Sequence, residues 1–138
     1  MGLNHDFMSS KIGIVKYQAV HEGVKVEDNL MSYMLDSLQW IDTEWNELGN
    51  RNRRLNYYGM TIFRGDSLKL LMDIVSSWIN LFQHAPSQFT MTGDFQLDSN
   101  TYEKIEYQKA EVIAQLTKLV EICEAAWNND IQVVHFGI

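Results

Sequence analysis

Apolar residues recur every three or four positions in three segments, and this period predicts three amphipathic helices. The first predicted helix begins at Asp28 or Asn29, both good N-caps, and ends before Gly49, a residue type common after helix ends. Its apolar stripe comprises Leu30, Met31, Met34, Leu35, Leu38, Ile41, Trp45 and Leu48. Acidic and hydroxyl side chains occupy most of the other side. We therefore expect one face in the core and one acidic face in solvent.

The second predicted helix begins at Asp66 or Ser67 and stops at Pro86. Apolar residues surround most of its circumference, which predicts a central helix buried against several neighbours. The third runs from about residue 108 to residue 128, and its stripe comprises Val112, Ile113, Leu116, Leu119, Val120, Cys123 and Trp127. These three helices account for most of the predicted regular structure.

Short β-branched and aromatic segments between the helices predict strands. A turn at Asp98, Ser99 and Asn100 separates two of them and suggests a hairpin. The predicted strands are residues 11–17, 24–26, 57–63, 89–97, 102–107 and 131–136. Residues 57–63 are also compatible with the tail of a helix broken by Gly59. They do not alternate regularly with the helices, so the pattern favours an α+β fold with a small, mainly antiparallel sheet. Length and composition (138 residues, 46% hydrophobic, 12% aromatic) favour a single globular domain over residues 1–138.

Charge is unevenly placed along the chain. Residues 27–47 contain six acids and no base, whereas residues 51–69 contain five bases and the single acid Asp66. The net charge is −7, which disfavours nucleic acid and anionic membranes as partners and permits a basic protein partner. The arginines of the basic run are expected to pair with the acidic helix of the same or another subunit.

The single cysteine, Cys123, excludes an intramolecular disulfide and suits a reducing compartment. The first residues lack the basic and apolar regions of a signal peptide. Residues 68–82 form the most apolar stretch but include Lys69, Asp73 and Asn80, so they are too short and polar to span a bilayer. These observations predict a cytoplasmic protein.

No catalytic, cofactor or metal motif accompanies these features. The four histidines are not spaced as helical metal ligands, and we expect no metal and no cofactor. Cys123 lies in an apolar stripe and is interpreted as a buried, unreactive thiol. His135, between Val134 and Phe136, is interpreted as a half-buried histidine with satisfied hydrogen bonds.

The residues predicted to contact a partner are Asp36, Trp40, Asp42, Glu44 and Glu47. Tryptophan is frequent in binding hot spots, and carboxylates complement a basic surface. Trp40 is equally compatible with packing under a neighbouring loop.

The leading hypothesis is a non-catalytic module that neutralises a basic protein partner, as a toxin-immunity protein does. One alternative is a structural or regulatory homo-oligomer in which the acidic helix docks on the basic loop of a second copy. The other is an enzyme that uses clustered carboxylates in a pocket.

Overall fold

The computed structural model describes residues 3–13, 23–45 and 54–138. In this part of the chain it contains six strands and three helices, which run in the order β1 (Asn4–Ser10), β2 (Gly23–Glu27), α1 (Asp28–Leu38), β3 (Met60–Phe63), α2 (Asp66–Phe82), β4 (Gln88–Gln96), β5 (Thr101–Gln108), α3 (Lys109–Asn128) and β6 (Gln132–Phe136). The predicted mixture of helices and small antiparallel sheets is therefore present.

Four of the strands form one sheet in the order β2-β1-β6-β3, and every neighbouring pair is antiparallel. His135 of β6 pairs with Phe7 of β1 on one side and with Thr61 of β3 on the other. Since alternate residues of a strand share a face, His5, Phe7 and His135 project from the same side of the sheet. This side carries the hydrophobic core.

The three helices pack against this sheet and each other. Helix α3 contacts β1, β2 and β6 and packs along α2, while α1 contacts α2 and the first two strands. The predicted stripe of α3 is buried at Val112, Leu116, Leu119 and Cys123. Buried stripes at helical spacing are the main reason these segments fold as helices.

The strands β4 and β5 form a separate two-stranded hairpin. Asn100 adopts a left-handed conformation (φ 55°) in the predicted turn, which asparagine tolerates better than most residues. Aromatic packing holds the end of the hairpin that lies next to α2. The centroid of the Phe89 ring lies 5.6 Å from that of Phe82 in α2 and 6.1 Å from that of Tyr107. Such packing is needed because an isolated hairpin is barely stable in water.

Three predictions require correction. Helix α1 ends at Leu38, ten residues before the expected stop, because the chain turns there and then runs beside β3. Helix α2 is amphipathic rather than buried all round, since Leu70 and Leu81 are exposed. Residues 12–13 form a turn rather than part of a strand, and residues 14–17 lie outside the described chain.

Candidate functional site

The exposed side of α1 ends at a prominent tryptophan. Trp40 is 70% exposed and lies in the turn after the helix, where its backbone N–H donates to the Ser37 carbonyl at 3.2 Å. The next residue, Ile41, is buried and anchors this turn. This exposure agrees with a surface role for Trp40 and disagrees with packing under a neighbouring loop.

Several α1 residues form a continuous surface that leads to Trp40. Asn29, Tyr33 and Asp36 are exposed and follow one another at helical spacing, with Ser32 beside them. Asp42 is also exposed, two residues beyond Trp40. Two predicted contact residues, Asp36 and Asp42, therefore flank the predicted tryptophan in sequence and are exposed as expected.

Glu44 does not belong to this exposed surface. Only 3% of its side chain is exposed, and its two carboxylate oxygens each lie 2.8 Å from nitrogens of the Arg64 guanidinium. Its backbone forms a bridge with Ile62, in which the Ile62 N–H donates to the Glu44 carbonyl at 2.7 Å. Because α1 ends early, Glu44 turns inward beside β3 instead of outward on a helix. Glu47, the fifth predicted contact residue, lies outside the described residues.

Two arginines of the basic run are engaged within the chain itself. Arg64 binds Glu44, and the Arg54 guanidinium donates to the carbonyl of Gln39. The Arg54 carbonyl in turn accepts hydrogen bonds from Thr43 and Trp45. The expected pairing of arginines with the acidic run is thus present within one subunit for Arg64. Arg51 and Arg53 lie outside the described residues.

A groove of about 270 Å³ lies between α1 and the β4–β5 hairpin. Asn29, Ser32 and Tyr33 line it from the helix. The hairpin contributes Met91, Thr92, Gly93, Asp94, Glu103 and Ile105. Two carboxylates line this groove, and none of its described lining residues is a lysine or an arginine.

A second, wider groove of about 570 Å³ lies near the start of α2 and the end of α3. Its walls include Arg64, Leu68, Trp127 and Asp130. The Arg64 guanidinium is already bound by Glu44, so its charge is neutralised within the chain.

A chain of buried polar groups crosses the core beside α1. His5 and His135 are both fully buried, with His5 Nδ1 2.8 Å from His135 Nε2. His5 Nε2 lies 3.0 Å from the Asp28 carboxylate, which also accepts a hydrogen bond from the Tyr57 hydroxyl. At the other end, His135 Nδ1 lies 3.3 Å from Thr61 Oγ1.

One arrangement of protons satisfies every hydrogen bond of this buried chain. His5 donates from Nε2 to Asp28 and accepts at Nδ1 from His135 Nε2–H. His135 Nδ1 then accepts from the Thr61 hydroxyl, whose oxygen accepts the Asn56 N–H at 2.9 Å. Burial lowers the pKa of His135 to about 3, so the neutral ring is favoured.

The same surroundings keep the Tyr57 hydroxyl protonated. Its pKa is raised above the usual value, first by burial and then by the hydrogen bond to Asp28 and that residue's charge. A neutral donor therefore faces a carboxylate whose side chain is 26% exposed. These groups tie β1, β6 and the first turn of α1 together, which is a structural role.

Sequence reasoning recovered only one member of this chain. His135 was interpreted correctly as hydrogen-bonded, although it is fully rather than half buried. His5 lies 130 positions away, in a strand whose polar residues Asn4 and Asp6 hide the β pattern. Asp28 was identified only as a helix start.

Within residues 3–13, 23–45 and 54–138, no three histidine, cysteine or acidic side chains converge in a way that could hold a metal ion. In that same part of the chain, no helix is long and apolar enough to cross a membrane. No protein-family model matches the chain, and comparisons with curated proteins and with solved structures return no significant match.

Proposed function

We propose that this chain is a non-catalytic protein-binding module that neutralises a basic protein partner, in the manner of a bacterial toxin-immunity protein. The observation that carries the proposal is the 70% exposure of Trp40 between the exposed acids Asp36 and Asp42. A large aromatic ring supplies contact area, and flanking carboxylates steer a basic partner toward it. Glu44 is left out of the proposed surface because it binds Arg64.

The net charge of −7 supports the same partner chemistry. An acidic protein attracts a basic one over distances of about 8–10 Å at physiological salt and repels nucleic acid and anionic membranes. The proposal includes a cytoplasmic location, which the single cysteine supports.

The homo-oligomer alternative receives less support. It requires bases on one copy to meet the acids of another, yet Arg64 and Arg54 are occupied within their own chain. Sedimentation at low and high salt distinguishes the homo-oligomer from the module that binds an external partner. A dimer that dissociates at high salt favours self-association, and a monomer at both salt concentrations favours an external partner.

The test begins with a basic protein that co-purifies with the tagged chain from its host or is encoded beside it. Trp40→Ala should weaken binding to that purified protein by about 2 kcal/mol, or about thirtyfold. Trp127→Ala is the matched control, since Trp127 is 41% exposed on α3. Equal affinities of the two variants would contradict the proposed surface.

The neutralising activity needs its own measurement. Expression of the basic partner alone should arrest growth, and co-expression of the intact chain should restore it. The Trp40→Ala variant should restore growth less well than Trp127→Ala at equal protein levels. If expression of the partner alone does not arrest growth, the chain would still be a binding protein, but the immunity function would be rejected.

A further inference from the structure

We infer that the basic partner adds an extended segment to the free edge of β4, as a third strand of the hairpin. This inference rests on the proposed function, which supplies the basic character of the partner, and it names the strand of this chain that the partner extends. It concerns β4 rather than the surface around Trp40, so the two can be tested separately.

The backbone of β4 has one side that is paired with β5 and one that is not. In an antiparallel pair, residues that exchange hydrogen bonds with the opposite strand alternate with residues whose N–H and C=O point away from it. The Lys109 N–H donates to the Ser87 carbonyl at 2.9 Å, and this pair continues the register of the hairpin by one position. By the same alternation Met91 bonds to β5, whereas Thr90 and Thr92 direct their backbone groups outward.

The outward side of β4 is open to further pairing. Within the described part of the chain, β5 is the one strand that pairs with β4, and Thr90 and Thr92 form no backbone hydrogen bond to any other element there. Many edge strands carry charged residues or proline, which prevent pairing with another chain. Residues 88–93 contain neither, and the bulge lies beyond Thr92. The edge therefore presents the N–H and C=O of two exposed, β-branched residues to an added strand.

There is room for a backbone beside this edge. The groove between α1 and the hairpin is lined by the consecutive β4 residues Met91 to Asp94, but only by the alternate β5 residues Glu103 and Ile105. Neighbouring residues of a strand point to opposite faces, so a groove lined by consecutive residues reaches the edge of that strand. Helix α1, which contacts β4, forms the opposite wall. A strand added at Thr92 would therefore lie along the groove.

The charge on both sides of the edge selects a basic segment. Residues 88–108 contain four acids and the single base Lys104, whose ammonium donates to Thr92 Oγ1 at 2.8 Å on the exposed face. Helix α1 contains two acids and no base. On the groove side, Asp94 and Glu103 form no ion pair with any described residue. Alternate side chains of an added strand share a face, so lysine or arginine at every second position would face these carboxylates.

The experiment uses synthetic peptides as probes in NMR titrations of the full chain. The probe is acetyl-Lys-Val-Lys-Val-Lys-amide, and acetyl-Glu-Val-Glu-Val-Glu-amide is its charge control. We expect the lysine peptide to shift the backbone amides of Thr90 and Thr92 with saturation, and the glutamate peptide to bind about tenfold more weakly or less. Equal binding of the two peptides, or no saturation at about 1 mM lysine peptide, would overturn the inference.

Backbone methylation distinguishes strand addition from electrostatic attraction alone. With the lysines toward the groove, the two valines lie opposite Thr90 and Thr92, so the valine N–H groups are the ones that bond to β4. N-methylation of both valines should weaken the probe by about tenfold or more, because two hydrogen bonds are lost. N-methylation of two lysines keeps those bonds and is the matched control. Equal effects of the two methylations would show that the peptide does not bind as a strand.

A pair of variants locates the added strand on β4. Thr90→Pro removes an outward N–H without removing a bond to β5, at the kind of position where edge strands accept proline. It should weaken the lysine peptide by about tenfold, whereas Thr90→Val keeps the N–H and should bind as the wild type does. Equal binding by the two variants would remove this edge as the site. If Thr90→Pro does not fold, the methylated peptides decide the same question.

Sedimentation of the chain without peptide tests a second copy as the occupant of the edge. We expect the wild type and Thr90→Pro to have the same mass in solution. A dimer that Thr90→Pro dissociates would show that β4 pairs with β4 of another copy, and this would overturn the assignment to a basic partner.

Failure of strand addition is distinguishable from failure of the proposed function. If Trp40→Ala weakens binding of the purified partner and Thr90→Pro does not, the partner binds without adding a strand to β4. If neither variant affects binding of the partner, the proposed function itself fails.

Discussion

His5 Nδ1 and His135 Nε2 lie 2.8 Å apart, so two residues separated by 130 positions share a hydrogen bond inside the core. The contact joins the neighbouring strands β1 and β6 and continues through Asp28 into the first turn of α1. The stability of the fold should therefore depend on the protonation of His135.

The first prediction concerns acid stability. The pKa of His135 falls from 6.5 to about 3 on folding, so between these pH values only the unfolded chain binds the proton. Stability then decreases as the pH drops below 6.5, by up to about 1.4 kcal/mol per pH unit from this residue. The free energy of unfolding, measured in urea, should decrease from pH 7 to pH 5 by about 2 kcal/mol more in the wild type than in His135→Leu.

The control for this prediction is His84→Gln, because His84 is exposed after α2. It should keep the pH dependence of the wild type. An identical dependence in His135→Leu and the wild type would show that the buried pair does not govern acid stability.

The second prediction concerns the hydroxyl that binds Asp28. Tyr57→Phe removes the donor while keeping the ring, which contacts His5 edge-on at 4.6 Å. We expect a loss of about 1–3 kcal/mol in the free energy of unfolding, as for hydrogen bonds to charged groups. Tyr58→Phe is the control, since Tyr58 is 77% exposed, and should change stability by less than about 0.5 kcal/mol. Similar values for both variants would refute a structural role for the Tyr57 hydroxyl.

The third prediction concerns the Glu44–Arg64 pair. Arg64→Ala leaves a carboxylate that is 3% exposed without its counter-charge, and we expect it to destabilise the chain by about 2–4 kcal/mol. Lys69→Ala breaks the exposed pair with Asp73 and should cost about 0.5 kcal/mol or less. Chemical denaturation measures the free energy of unfolding of both variants. Equal losses in the two variants would contradict the burial of Glu44.

The fourth prediction concerns association kinetics with the purified basic partner. Asp36→Lys combined with Asp42→Lys should slow association and flatten its dependence on salt, because steering charges act mainly on the on-rate. Stopped-flow measurements at several ionic strengths test this. Glu121→Lys with Glu124→Lys changes the net charge equally on α3, and an equal effect of both pairs would indicate total charge rather than a local surface.

The fifth prediction concerns the single thiol. Cys123 is fully buried, and burial raises its pKa to about 12, so almost no thiolate exists at neutral pH. A thiol reagent such as DTNB should react at the rate of unfolding in buffer and immediately in 6 M guanidinium. Rapid reaction of the native chain would place the thiol at the surface.

Much of the fold follows from local patterns in the sequence. Helix α3 and strand β6 were predicted nearly to the residue, because their apolar spacing agrees with the surfaces they bury. The end of α1 was predicted wrongly, because Ile41 and Trp45 continue the helical spacing after the helix has ended at Leu38. Among the described residues, the backbone bridge of Glu44 with Ile62 of β3, a contact between distant segments, accompanies that stop.

The candidate site divides in the same way. Exposure of Asp36 agrees with the periodicity of α1, whereas Trp40 lies in the turn after the helix. The burial of Glu44 depends on Arg64, twenty positions away. The groove could not be anticipated because it requires the hairpin to lie beside α1, and periodicity does not give the placement of elements. The histidine pair was missed for the same reason.

The central position of β1 and β6 has a consequence for the order of folding. The first and last described strands are neighbours in the middle of the sheet, so the sheet cannot close until β6 has been synthesised. Loop closure over so many residues is slow, whereas the helices and the β4–β5 hairpin rely on local contacts. We therefore expect the hairpin and helices to form early in refolding, and the hydrogen bond between the two histidines to form among the last contacts.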